Sequence, residues 1–158
     1  MISLPMSEMV LLINDVISSD GEFRLYPRGT SMLPLIKQGK DSVVLVKPGL
    51  LSKNDIILYR RENGKYVLHR IVKIKGNDLL LCGDNQSDIE KGITVDMVIA
   101  KVKGIYLEDT YYEGDKANKK LYYFRLFLKR KIRPFFRKTK SVIKNPSKLW
   151  RKIKGEKR

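Results

Sequence analysis

A single cysteine, Cys82, occurs in the 158 residues, which excludes an internal disulfide framework and any cysteine-based zinc site. A reducing compartment such as the cytosol is the expected setting. Histidine is equally scarce, and His69 is the sole imidazole. No apolar run approaches the roughly 18–20 residues needed to span a bilayer. Met9-Val10-Leu11-Leu12-Ile13 is too short, and it lacks the basic flank and small-residue cleavage site of a secretory leader. Acids are almost missing from the C-terminal stretch, where residues 119–158 hold 17 Lys and Arg against Glu156 alone. The preceding residues are balanced, so the whole net charge of +16 sits in that stretch. A neutral domain with a basic appendix points to an anionic partner for the appendix rather than for the domain.

What is present reads as one small domain, mainly β, with a helix before it. Met9, Leu12, Ile13, Val16 and Ile17 recur at helical spacing over residues 7–18, with Ser7 as the expected cap and Ser19-Asp20-Gly21 as the stop. Phe23–Tyr26 reads as a short strand entering the Pro27-Arg28-Gly29-Thr30-Ser31 turn. Ser42–Val46, Ile56–Arg60, Tyr66–Ile74, Asp78–Leu81 and Met97–Ile105 are β-branched or alternating runs separated by turn residues. Asn63-Gly64 and Gly76-Asn77 are two-residue hairpin signals. Closely spaced short strands predict a coiled antiparallel sheet or partly open barrel. The expected organisation is a helix over 1–22, a β domain over 23–106, a polar linker over 107–118 and a basic, aromatic-rich helical tail over 119–158. Within that tail Pro134 interrupts the first helix, and a short last helix is expected over 146–154.

Three segments carry chemistry. Gly29-Thr30-Ser31-Met32-Leu33-Pro34-Leu35-Ile36 places a hydroxyl on a turn followed by apolar residues. Serine is a weak nucleophile without a base within hydrogen-bond reach. His69 lies in Tyr66-Val67-Leu68-His69-Arg70-Ile71-Val72, and an unperturbed imidazole, with a pKa of about 6.5, suits a general base. Gly83-Asp84-Asn85-Gln86-Ser87-Asp88-Ile89-Glu90 then brings three carboxylates, one of which would orient the imidazole. Each segment alone has an ordinary structural explanation: a turn or cap, a strand histidine, an Asp-stabilised turn. Asp84 in particular reads equally well as a brace of its own turn.

Taken together and in this order, the Ser-Met-Leu-Pro, Gly39-Lys40-Asp41, Asp55-Ile56-Ile57, His69-Arg70-Ile71 and Gly83-Asp84-Asn85 segments resemble the type I signal peptidase family, over about residues 24–106. That family shares a β fold with LexA-type self-cleaving repressor domains. The match is closest to the variant of the endoplasmic reticulum, archaea and some sporulating bacteria, which carries His-Arg where other members carry a lysine base. The resemblance implies Ser31 as nucleophile, His69 as base and an acid just after the Gly-Asp-Asn turn. Asp88 is the expected acid, with Asp84 and Glu90 as alternatives, because the family's acid lies slightly further from its turn than Asp88 does. Met32 and Thr30, on either side of Ser31, are the expected substrate contacts, and the Ser31 backbone N–H a donor to the oxyanion. Gly29 stands where common bacterial members carry a helping serine. The family's membrane anchor has no counterpart before Ser31, where a short amphipathic helix stands instead.

The expectation is therefore a serine endopeptidase acting on a leader or precursor peptide, without metal or organic cofactor. It is expected in the cytoplasm, held at the inner membrane face by residues 119–158, whose Lys and Arg alternate with Tyr122, Phe124, Phe127, Phe135 and Trp150. Nucleic acid is the less favoured partner for that tail. An inactive peptide- or membrane-binding module of the same fold is the alternative. A self-cleaving repressor-type regulator is weaker, because no helix-turn-helix precedes the β domain and histidine replaces the lysine base.

Overall fold

The computed structural model describes residues 4–114. The basic tail at 119–158, its two expected helices and the end of the expected linker lie outside the described residues.

Helix α1 runs over Met6–Ser18. Its inward stripe is Met6, Met9, Val10, Ile13 and Ile17, whereas Leu12, expected to face inward, is exposed. Helical spacing allowed either face, and packing against the sheet selects the one that carries Val10. Ser7 does not cap the helix: Pro5 holds the N-cap position without a side-chain bond, and its carbonyl accepts the Met9 N–H at 3.1 Å.

Eight strands follow: β1 Phe23–Leu25, β2 Ser42–Val46, β3 Ile56–Arg60, β4 Tyr66–Lys75, β5 Asp78–Cys82, β6 Glu90–Thr94, β7 Val98–Leu107 and β8 Thr110–Glu113. All pair antiparallel in one open sheet ordered β1-β2-β7-β3-β4-β5-β6, with β8 also on β7. Long β7 pairs β2 along Lys101–Tyr106 and β3 along Val98–Lys101. Bulges at Val44/Leu45, Leu58/Tyr59, Ile71/Lys73 and Leu79/Leu81 bend and coil the sheet. The expected mainly-β architecture with an N-terminal helix is present, and the sheet does not close.

The turns follow their residues. Gly76-Asn77 joins β4 to β5 as a two-residue loop, with Lys75 paired to Asp78. The Asn63-Gly64 hairpin has one residue more than expected. Arg61 and Lys65 close a loop of Glu62, Asn63 and Gly64, and Gly64 takes the left-handed φ of 79° that such a loop requires after a type I turn. Residues 107–114 are not a linker. They end β7, turn at Glu108-Asp109 and return as β8, with Leu107 paired to Thr110.

Two apolar cores flank β3. Ile56 and Leu58 pack with α1, β2, Met32, Leu35 and Ile36, while Ile57 and Tyr59 pack with Ile71, Leu79, Leu81 and Ile93. Alternation along a strand sends successive side chains to opposite faces. A strand between two cores is therefore buried on both, which explains the unbroken apolar run Ile56-Ile57-Leu58-Tyr59.

Candidate active site

The apolar run after Ser31 presents the serine. Residues 31–36 form a tight turn in which the Ile36 N–H donates to the Met32 carbonyl at 3.0 Å. Met32, Leu35 and Ile36 are buried in the first core, leaving Ser31 half-buried at its rim. A second tie holds the serine to the Gly83-Asp84-Asn85 turn, where the Asn85 N–H donates to the Ser31 carbonyl at 2.7 Å. Gly83 is the residue around which the parts meet. A Cβ added there would lie 2.8 Å from the Ser31 carbonyl oxygen and 3.1 Å from His69 Nε2. No side chain fits between serine backbone and imidazole, so glycine is required by close approach rather than by its φ.

His69 lies on β4 opposite Ile57, on the face that carries Ile57, Tyr59 and Ile71. The ring is 2% exposed. Its Nδ1 is 3.1 Å from the Tyr59 hydroxyl, which donates to Glu90 Oε2 at 2.7 Å. Nδ1 and Glu90 Oε2 are 3.4 Å apart. From the other side, Arg61 donates Nε and Nη2 to the two Glu90 oxygens, each at 2.6 Å. Such bidentate pairs are among the strongest polar contacts available to a carboxylate.

These contacts set the protonation states. Burial pushes the His69 pKa below its ordinary value, and Arg61 adds to this, while Glu90 partly opposes it. Burial alone would raise Glu90, but hydrogen bonds from Arg61 and Tyr59 outweigh it and hold the carboxyl below its usual range. Burial, and then the bond to Glu90, pushes the Tyr59 phenol well above its ordinary value. Arg61 is held protonated by Glu90. Near neutrality the group is thus a neutral imidazole, a neutral phenol, a carboxylate and a guanidinium.

Ser31, His69, Met32, Val67, Gln86 and Arg28 are among the residues around a cavity of about 260 Å³. Of the two expected substrate contacts, Met32 is among the lining residues, whereas Thr30 is exposed and outside the lining. The three candidate acids separate. Glu90 stands against the Tyr59–His69 pair. Asp84 lies beneath the turn, where Arg70 donates Nε and Nη2 to its two oxygens at 2.8 and 2.7 Å. Asp88, the first choice from the sequence, is exposed, with the Ser87 hydroxyl at 3.4 Å. The reason is register. Strand β6 begins at Glu90, which pairs with Leu81 and so faces the second core, whereas Asp88 precedes the strand. Among the described residues no three His, Cys, Asp or Glu side chains cluster as a metal site would need.

Sequence reasoning named neither Tyr59 nor Arg61. Tyr59 reads as one more core residue of β3, and Arg61 as hairpin polarity. The distance of Glu90 from the Gly-Asp-Asn turn was the available signal for which carboxylate stands against the imidazole. No protein-family model matches the chain, and neither a curated protein nor a solved structure does so.

Proposed function

We propose that this chain is a serine endopeptidase in which Ser31 is the nucleophile and His69 the general base, with a site of the signal peptidase kind. The observation that carries the reading is that the Ser31 carbonyl oxygen and His69 Nε2 both lie against Gly83, and that both residues line one cavity. The imidazole is buried and neutral, and its Nδ1 is occupied inward, so Nε2 is its free acceptor.

The reaction follows from these roles. As Ser31 Oγ bonds to the peptide carbonyl carbon, its proton passes to His69 Nε2. The carbonyl oxygen becomes an oxyanion. The Ser31 N–H, which has no acceptor among the described residues, is the proposed donor to it. The Gly29 N–H is not free for this, because it donates to Gln38 Oε1 at 2.6 Å. Collapse breaks the C–N bond, and the leaving amine takes the proton from Nε2. Water then attacks the ester with the same base, releasing acid and free serine. Glu90 holds the charged imidazole through Tyr59 and by its own charge. Asp84 supports the turn through Arg70. The substrate class is a leader or precursor peptide, and the basic 119–158 segment is proposed to hold the enzyme at an anionic membrane surface on the cytosolic side.

A peptide boronate or phosphonate tests the reading. Its mass should appear on the tryptic fragment that carries Ser31, be lost in Ser31→Ala and form much more slowly in His69→Ala. Labelling at another residue would end the Ser31 assignment. Tight peptide binding with no labelling would favour a non-catalytic binding module.

A further inference from the structure

We propose that Tyr59 is the positioning residue of the base: its hydroxyl accepts the Nδ1 proton of His69 and donates its own to Glu90, which fixes one imidazole tautomer with Nε2 bare toward the cavity. The consequence for rate rests on the peptidase reading, but the tautomer itself does not.

The assignment follows from counting protons. A phenol has one, and Tyr59 spends it at 2.7 Å on Glu90, a carboxylate with none to give. The 3.1 Å contact with Nδ1 can then be made in one direction, with the imidazole donating. The direct Nδ1–Oε2 separation of 3.4 Å is beyond the ordinary N–H···O range of about 2.7–3.2 Å. Tyr59 therefore carries the contact. Glu90 does not close the gap freely, because Arg61 grips both its oxygens at 2.6 Å. The charged groups facing the ring are Glu90 from β6, Arg61 just after β3 and Asp84 from the turn after β5, the last already paired with Arg70 of β4. None of them offers Nδ1 a nearer acceptor than Tyr59 among the described residues. When Nε2 receives the serine proton, Nδ1 keeps its own and shares it with the phenol oxygen. No proton moves further inward.

His69 is the sole histidine, so nitrogen NMR of untagged, 15N-labelled protein reads this ring without assignment. In its neutral state the wild-type ring should be protonated at Nδ1 and bare at Nε2. In Tyr59→Phe, which keeps the buried ring, the other tautomer should become populated. On a cleaved peptide kcat should fall by about ten- to a hundredfold with KM changed less than about twofold. If Tyr59→Phe does not fold, Arg61→Gln provides the second readout. Its ring should stay protonated at Nδ1 and titrate at higher pH than wild type, because a depressing charge has gone. A wild-type ring protonated at Nε2, or a Tyr59→Phe protein with wild-type tautomer and rate, overturns the proposal. A correct tautomer that shifts in Tyr59→Phe, in a protein that cleaves nothing, supports the relay while removing the peptidase.

Discussion

Asp88 and Glu90 offer the same chemistry two positions apart, yet only Glu90 reaches the imidazole cluster. Replacing each by its amide separates them. Glu90→Gln should lower turnover by about ten- to a hundredfold. It should also move the acid limb of the pH–rate profile to lower pH. The sign follows because the Glu90 charge raises the His69 pKa, so its removal favours the neutral ring. Asp88→Asn should stay within about twofold of wild type, as an exposed substitution at a residue whose hydrogen bond is the long 3.4 Å one from the Ser87 hydroxyl. The wild-type limb should itself lie below the ordinary histidine value, since burial and Arg61 depress this ring. The same depression bears on stability. A buried neutral His69 contributes stability that is present above about pH 6.5 and lost as pH falls through the folded-state value. Asp84 plays the opposite part to Glu90. Its partner Arg70 is 1% exposed, so Asp84→Asn leaves a buried guanidinium without its counter-charge. Denaturant melts should show a loss of about 3–5 kcal/mol. At this scale the grouping of Ser31 with His69 around one cavity was legible from their neighbours, Asp84 was legible as a brace of its turn, and the carboxylate that stands beside the imidazole was legible to within two positions. Tyr59 was not, because a buried phenol and a buried core aromatic have the same signature in sequence.

Strands with strong local patterns were readable at the element scale, and those made by their neighbours were not. Ser42–Val46 and Ile56–Arg60 are apolar, β-branched and bounded by turn residues, and both appear with those limits. Strand β6 is Glu-Lys-Gly-Ile-Thr, with Ile93 its one buried residue, and it forms because β5 offers an open edge. Strand β8 is exposed throughout and forms because the Glu108-Asp109 turn folds it back on β7. Tertiary pairing overrides propensity in both. Missing β6 is what left the choice between Asp88 and Glu90 open. The Gly83 turn is the element on which the site depends most. Gly83→Ala would set a methyl 2.8 Å from the Ser31 carbonyl and 3.1 Å from Nε2, both tighter than ordinary contact. The serine loop or the ring must shift, and kcat should drop by about a hundredfold. Circular dichroism should show the sheet retained. Wild-type turnover in that variant would contradict the packing described.

Over the whole molecule, charge and chemistry are segregated. Every proposed catalytic group lies within residues 31–90, inside the charge-balanced stretch 1–118, while residues 119–158 carry the net charge of +16. Removing residues 119–158 should leave cleavage of a small peptide unchanged within about twofold. Co-sedimentation with phosphatidylserine-containing vesicles should fall sharply. Binding of the full chain should weaken with salt as screening grows, but keep a salt-resistant part from inserted Phe, Leu and Trp side chains. Equal sedimentation of both forms, or tight nucleic-acid binding without vesicle binding, would contradict a membrane role.

The central claim is that Ser31 and His69 act as one nucleophile–base pair. Residues that work as a unit lose their effect together, so their replacements are far from additive. The direct measurement is the first-order rate of peptide cleavage by wild type, Ser31→Ala, His69→Ala and the double variant under one set of conditions. All three variants should fall to a common residual rate, with the double no slower than either single by more than a fewfold. Full activity in Ser31→Ala, or losses in the singles that multiply in the double, would contradict it.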